Sequence, residues 1–135
     1  MQKFLKKLEK QLETFSPDLK RLGVIVVYLF SSQARGDAEA RSDVDFAVLL
    51  DKKMKKSPDY LKIRLKLMDL LSTMMGREDV EVIILDDQLP LSFKFEILKD
   101  GHILYNHDDD ARVEFEFNIL KFYHDRVAKM EYMCV

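Results

Sequence analysis

Two acids, Asp43 and Asp45, stand one residue apart at the head of the apolar run "SDVDFAVLLD". Side chains alternate along a strand, so both carboxylates face one way, with Cα atoms about 6.6 Å apart. Like charges this close repel, and desolvating them costs free energy. They are tolerated when exposed, when paired with a cation, or when they ligate a metal. A hard divalent cation such as Mg2+ suits these oxygen ligands. Two ions bridged by such a pair serve phosphoryl or nucleotidyl transfer. A third acid, Glu81, interrupts the apolar run "VEVII". If its strand lies near that of Asp45, it reaches the same ions and can take a proton from an attacking hydroxyl. Glu81 equally fits an outward position on a half-exposed sheet.

The segment leading to the acids, "SSQARGDAEAR", is small and polar. Ser31 and Ser32 follow an apolar strand and are placed to open a short helix. Backbone N–H groups there can hold phosphate oxygens, and a serine hydroxyl adds a donor. Arg35 and Arg41 can offset phosphate charge or pair with the acids.

The elements that must position these groups follow from periodicity. Leu5, Leu8, Leu12 and Phe15 recur at helical spacing and predict a helix over 3–15. "SPD" at Ser16–Asp18 predicts its end. "GVIVVYLF", Gly23–Phe30, is β-branched and apolar on both faces, a buried strand. Ser42–Asp51 is a second strand, followed by a basic turn, "DKKMKKSPD". A helix is predicted from about Asp59 to Met75, with Leu61, Leu65, Met68, Leu71 and Met75 inward and Gly76 as its C-cap. Asp79–Leu85 is a third strand, "LSFKFEILKDG" a shorter helix and "HILYN" a fourth strand. The last helix, about 109–132, starts beside the acids Asp108–Asp110. Only eleven residues separate Phe30 from Ser42, too few for a full crossover, so the first two strands are predicted antiparallel neighbours. The expected fold is α/β (α+β): a mixed sheet flanked by helices, in the order αββαβαβα.

With 135 residues, the chain is read as a single domain, 1–135. A net charge of −2 gives no basic field for nucleic acid, and no direct DNA binding is expected. The longest apolar run, Val24–Phe30, is too short to span a bilayer, and the N-terminal segment has no apolar signal core. One cysteine, Cys134, fits a reducing compartment. The expected location is the cytoplasm. Lys52, Lys53, Lys55 and Lys56 read as a solvated loop, and His102, His107 and His124 lack metal-site spacing.

The run "SSQARGDAEARSDVDFAVL" resembles the signature of the minimal nucleotidyltransferases of the DNA polymerase β superfamily: Gly-Ser, about ten residues, then Asp-x-Asp. Here Ser32 is followed by the ten residues Gln33–Ser42 and then by Asp43-Val44-Asp45. Downstream, "DVEVIILDDQLPLSFKFEILKDGHILYN" is similar to the family's third-acid strand and its Gly-x-x-Leu-Tyr segment. The closest subgroup by resemblance is the antitoxin partner of HEPN-domain toxins, whose C-terminal helix "ARVEFEFNILKFYHDRVAKMEY" resembles.

That resemblance implies AMP transfer from ATP to a tyrosine of a HEPN RNase toxin. Asp43 and Asp45 would bind Mg2+, with two ions expected. Glu81 would help bind metal and activate the hydroxyl, and Ser32 would contact the triphosphate. Two departures stand out. Ser31 replaces the glycine that allows positive φ and close approach to phosphate, and Glu81 replaces the usual aspartate, one methylene longer. Alternatives are a non-catalytic antitoxin that neutralises the toxin by binding, and a small-molecule nucleotidyltransferase, which would need an added helical domain. In the last helix, Val113, Phe117, Leu120 and Val127 form one apolar stripe, and Phe115, Ile119, Phe122 and Tyr123 another. Two such faces predict partner contact or self-association.

Overall fold

The computed structural model describes residues 2–30, 44–55, 58–86 and 88–133. The elements run α1 (Gln2–Thr14), α2 (Ser16–Arg21), β1 (Val24–Leu29), β2 (Val44–Leu50), α3 (Lys52–Lys55), α4 (Tyr60–Met75), β3 (Val80–Ile84), α5 (Leu91–Asp100), β4 (His102–Asn106) and α6 (Asp109–Met133). Among the described residues the predicted order holds, with two short helices added. "SPD" does not simply end the first helix: Pro17 opens a second, since its fixed φ suits a first helical turn. The basic turn contains a single helical turn, α3, whose Met54 packs against the core.

The four strands form one mixed sheet in the order β3-β2-β1-β4. β1 is antiparallel to β2, as expected from the short link after β1, and β4 lies antiparallel on its other side. β2 and β3 are parallel, and α4 occupies the crossover between them. A register shift between Val24 and Val26 lets both Val24 and Val27 face the same layer.

Two apolar layers cover the sheet. On one face, Leu8, Leu12 and Leu19 from α1 and α2 meet Phe46 and Val48 of β2 and Leu67 and Leu71 of α4. On the other, Val26, Tyr28, Ala47 and Leu49 meet Ile97 of α5, with Phe115 of α6 packed beside them. The prediction for α4 is corrected here. Its buried residues are Ile63, Leu67, Leu71 and Met74, while Leu61 and Leu65 are 63% and 57% exposed. The helix is apolar on more than one side, so periodicity alone does not select the face.

Two glycines are required by the backbone. Gly76 caps α4 in the left-handed region, φ 66°, as predicted. Gly23 opens β1 at φ 78°, and a Cβ there would lie 2.3 Å from Met54 Cγ.

Candidate active site

The sequence predicted that Asp45 and Glu81 would meet if their strands were close. They do: Asp45 of β2 and Glu81 of β3 are register partners across the parallel pair, between the rungs Val44–Val80 and Phe46–Val82. Adjacent strands lie about 4.8 Å apart, so the two side chains rise from one face as neighbours. Asp45 is partly buried and Glu81 is exposed. On the other side of Asp45 stands the end of β1, where Phe30 N–H donates to the Asp45 carbonyl at 2.9 Å. The rung therefore reads Phe30, Asp45, Glu81.

The local sequence explains this placement. In β2, Val44, Phe46 and Val48 point into one core layer, so Asp45 must point to the opposite face. In β3, Val80, Val82 and Ile84 do the same and turn Glu81 outward. Beyond Asp45, the shared face is apolar, with Ala47 and Leu49 buried under α5 and α6. Phe30 meets Phe93 of α5 edge-on, ring centroids 5.7 Å apart at 80°, and closes the apolar layer beside the acids.

Two residues that sequence reasoning missed hold the start of β3. Arg77 donates from Nε to Asp79 Oδ1 at 2.8 Å and makes a second bond to Oδ2. That bond holds the Asp79 carboxyl below its usual range. The Asp79 carbonyl accepts the Val44 N–H at 3.1 Å, one residue before Asp45. Asp79 is thus engaged by Arg77, while Glu81 makes no ion pair among the described residues. The spacing "RED" before the strand was the available signal, since an arginine two residues from an aspartate at a strand entry can form such a fork.

Ser31, Ser32, Arg35, Arg41 and Asp43 lie outside the described residues. Among the described residues, no cluster of three acidic, histidine or cysteine side chains is placed to hold a metal. Asp45 and Glu81 supply two hard oxygen donors side by side, the donor set a divalent cation requires.

Helix α6 is tied to the same face. The Tyr28 hydroxyl donates to Glu116 Oε2 at 3.3 Å, and Arg112 Nη1 donates to both Glu116 oxygens at 2.9 and 2.8 Å. Burial, then the Glu116 charge, pushes the Tyr28 phenol strongly upward. Phe95 of α5 stacks on Tyr123 of α6 at 3.8 Å and 4°. Of the two predicted stripes, Val113, Phe117 and Leu120 are 50%, 63% and 40% exposed. Ile119 of the second stripe is buried, whereas Phe122 is 54% exposed. No described helix is long and apolar enough to cross a membrane.

Residues 8–110 match a family model described as polymerase beta, nucleotidyltransferase. Among the solved structures that share the fold are three that cover most of both chains. A toxin-antitoxin structure with AMP-PNP has a TM-score of 0.66 at 20% identity, over 93% of this chain and 94% of that one. A protein from Shewanella oneidensis has a TM-score of 0.60 at 19% identity, over 93% and 92%. The MntA-HepT toxin-antitoxin structure has a TM-score of 0.59 at 20% identity, over 98% and 95%. No curated protein sequence matches the chain.

Proposed function

We infer the function from one premise: this chain belongs to the polymerase β nucleotidyltransferase family. On that premise we propose that it transfers AMP from ATP to a tyrosine hydroxyl of a HEPN-domain RNase toxin, in the cytoplasm, and so acts as the toxin's antitoxin. The observation that carries this reading is the register pairing of Asp45 and Glu81 beside the end of β1. Similar folds in toxin-antitoxin structures, one of them with AMP-PNP, support the choice of partner and nucleotide.

Asp43, Asp45 and Glu81 would hold Mg2+, as two ions. When bound, the metal would offset phosphate charge and polarise the α-phosphate. Ser31 and Ser32 bind the triphosphate, with Arg35 and Arg41 offsetting its charge. Glu81 accepts the phenol proton as the tyrosine oxygen bonds to the α-phosphorus. The bridging bond to the β-phosphate breaks, and pyrophosphate leaves with the electron pair. The exposed Val113–Phe117–Leu120 stripe of α6 receives the toxin.

The test uses α-labelled ATP, Mg2+, this chain and a HEPN toxin encoded beside it. Label is expected on the toxin and is expected to vanish with Asp45→Asn in a chain that still folds. Transfer that persists in Asp43→Asn/Asp45→Asn overturns the reading. The exposed α6 stripe also favours a second reading, a binding antitoxin without catalysis. It predicts neutralisation by a stoichiometric complex in the absence of ATP. A strict ATP requirement excludes it.

A further inference from the structure

Helix α6 leaves one apolar stripe uncovered. Val113, Phe117 and Leu120 are exposed, and Val127 continues the line half-buried. They are spaced by four, three and seven residues, the a/d repeat of a helix that packs lengthwise against another helix. The inner face of α6 is already taken. Phe115 packs on the sheet layer, Ile119 is buried and Tyr123 stacks on Phe95 of α5.

The charges beside the stripe select what fits it. Glu114 follows Val113 and Lys121 follows Leu120, so the two lie two helical turns apart on one flank of the stripe. Both are exposed, and neither makes an ion pair among the described residues. When two copies of α6 pack antiparallel about a two-fold axis near Asn118, Glu114 of each copy faces Lys121 of the other. The same axis brings Phe117 of each copy against Leu120 of the other across the seam. The longer charge pattern agrees. Residues 109–118 carry Asp109, Asp110, Glu114 and Glu116 against Arg112, whereas residues 119–130 carry Lys121, Arg126 and Lys129 against Asp125. Antiparallel pairing sets the acidic half on the basic half, and parallel pairing sets like halves together.

We propose that the α6 stripe is the interface of a homodimer: two copies of this chain pair their last helices antiparallel, with Phe117 and Leu120 in the seam and Glu114 of each copy bonded to Lys121 of the other. The toxin is proposed above to dock on this same stripe, and on that reading self-pairing and toxin binding exclude each other, so the free antitoxin keeps its toxin surface covered. The dimer itself rests on α6 alone and is tested without toxin or nucleotide.

The test is sedimentation equilibrium of the full chain over a concentration series. A monomer–dimer equilibrium is expected, and it should dissociate on dilution, because a single helix pair lies at the small end of specific interfaces. Glu114→Lys and Lys121→Glu are each expected to weaken the dimer by about tenfold or more, since symmetry turns two attractive pairs into two like-charge pairs. The double exchange Glu114→Lys/Lys121→Glu remakes both pairs in reverse and is expected to return the dimer to within about threefold of the parent. Phe117→Asp is expected to give a monomer at every concentration. All four positions of change are exposed, and a melting curve for each variant confirms that it folds. A parent chain that stays monomeric throughout overturns the proposal. So does a dimer that ignores both single reversals, that the double exchange fails to restore, or that survives Phe117→Asp, the last placing the contact on another face.

Discussion

Replacing Glu81 by glutamine removes one of two neighbouring negative charges and changes little else. Glu81 and Asp45 are register partners on strands about 4.8 Å apart, so their carboxylates are taken as about 5 Å apart. Two unit charges at that distance repel by about 0.8 kcal/mol at the dielectric constant of water and about 3.3 kcal/mol at an effective value of 20. Glu81 is exposed and Asp45 only partly buried, so the lower end applies, about 1 kcal/mol. Without metal, Glu81→Gln should therefore be more stable than the parent chain, by about 2–4 °C in melting temperature for a domain of this size. The gain should shrink in high salt, because the pair is open to screening. With Mg2+ added, the order should reverse. A cation held tenfold above its Kd stabilises the parent by about 1.4 kcal/mol through mass action, and the variant gains less. The assay is thermal unfolding in chelator and in Mg2+, at low and high salt. A variant that melts lower than the parent in chelator refutes the repulsion argument. A variant with the full Mg2+ response refutes the assignment of Glu81 to the metal.

Two further predictions concern the frame around the site. The Tyr60 phenol, pushed up to about 12 by burial and then by its 2.7 Å bond to Asp86, favours the protonated form in the fold. Its stabilising effect is complete below pH 10 and is lost as pH rises from 10 to 12, so Tyr60→Phe should be less stable at neutral pH and show a shallower alkaline fall. An unchanged slope between pH 10 and 12 refutes this. Gly23→Ala should cost about 2–3 kcal/mol, because a left-handed alanine is strained and its Cβ displaces Met54. Gly76→Ala, with the same backbone strain but open space, should cost about 1 kcal/mol. Urea unfolding of both variants checks the difference, and equal losses would mean Met54 yields freely.

How much of this was legible depends on which interaction decides each feature. β1 could be read from Gly23–Phe30 because a strand buried on both faces needs an unbroken apolar run. Asp45 and Glu81 could each be read as anomalies, since a charge amid core-facing valines must point away from that core. Their rung could not, because register belongs to the pairing of two strands separated by α4. The inner face of α4 was misread for the converse reason. Leu61 and Leu65 have the same spacing as Leu67 and Leu71, and only packing against β3 selects between them. Arg77 and Asp79 look like ordinary surface residues until the Val44–Asp79 bond shows what they hold. The phosphate-loop candidates Ser31, Ser32, Arg35 and Arg41, with Asp43, lie outside the described residues.

Strand direction, more than any single side chain, builds the candidate site. β2 runs back along β1, so the start of β2 lies beside the end of β1. β3 runs parallel to β2, so its start lies at that same edge. An acid near the start of each strand, Asp45 at the second residue of β2 and Glu81 at the second of β3, is therefore delivered to one rung next to Phe30. Had β3 been antiparallel over the same paired span, Glu81 would stand opposite Ala47 rather than Asp45, two residues along β2 and about 6.6 Å of strand rise away. The parallel crossover through α4 is thus what turns two isolated acids into a pair. The same geometry explains their unequal exposure. Asp45 sits on a central strand and is partly covered, whereas Glu81 sits on the edge strand and meets solvent. A metal ligand and a proton acceptor need that combination: one carboxylate held by its surroundings and one free to reach a hydroxyl brought in by another molecule.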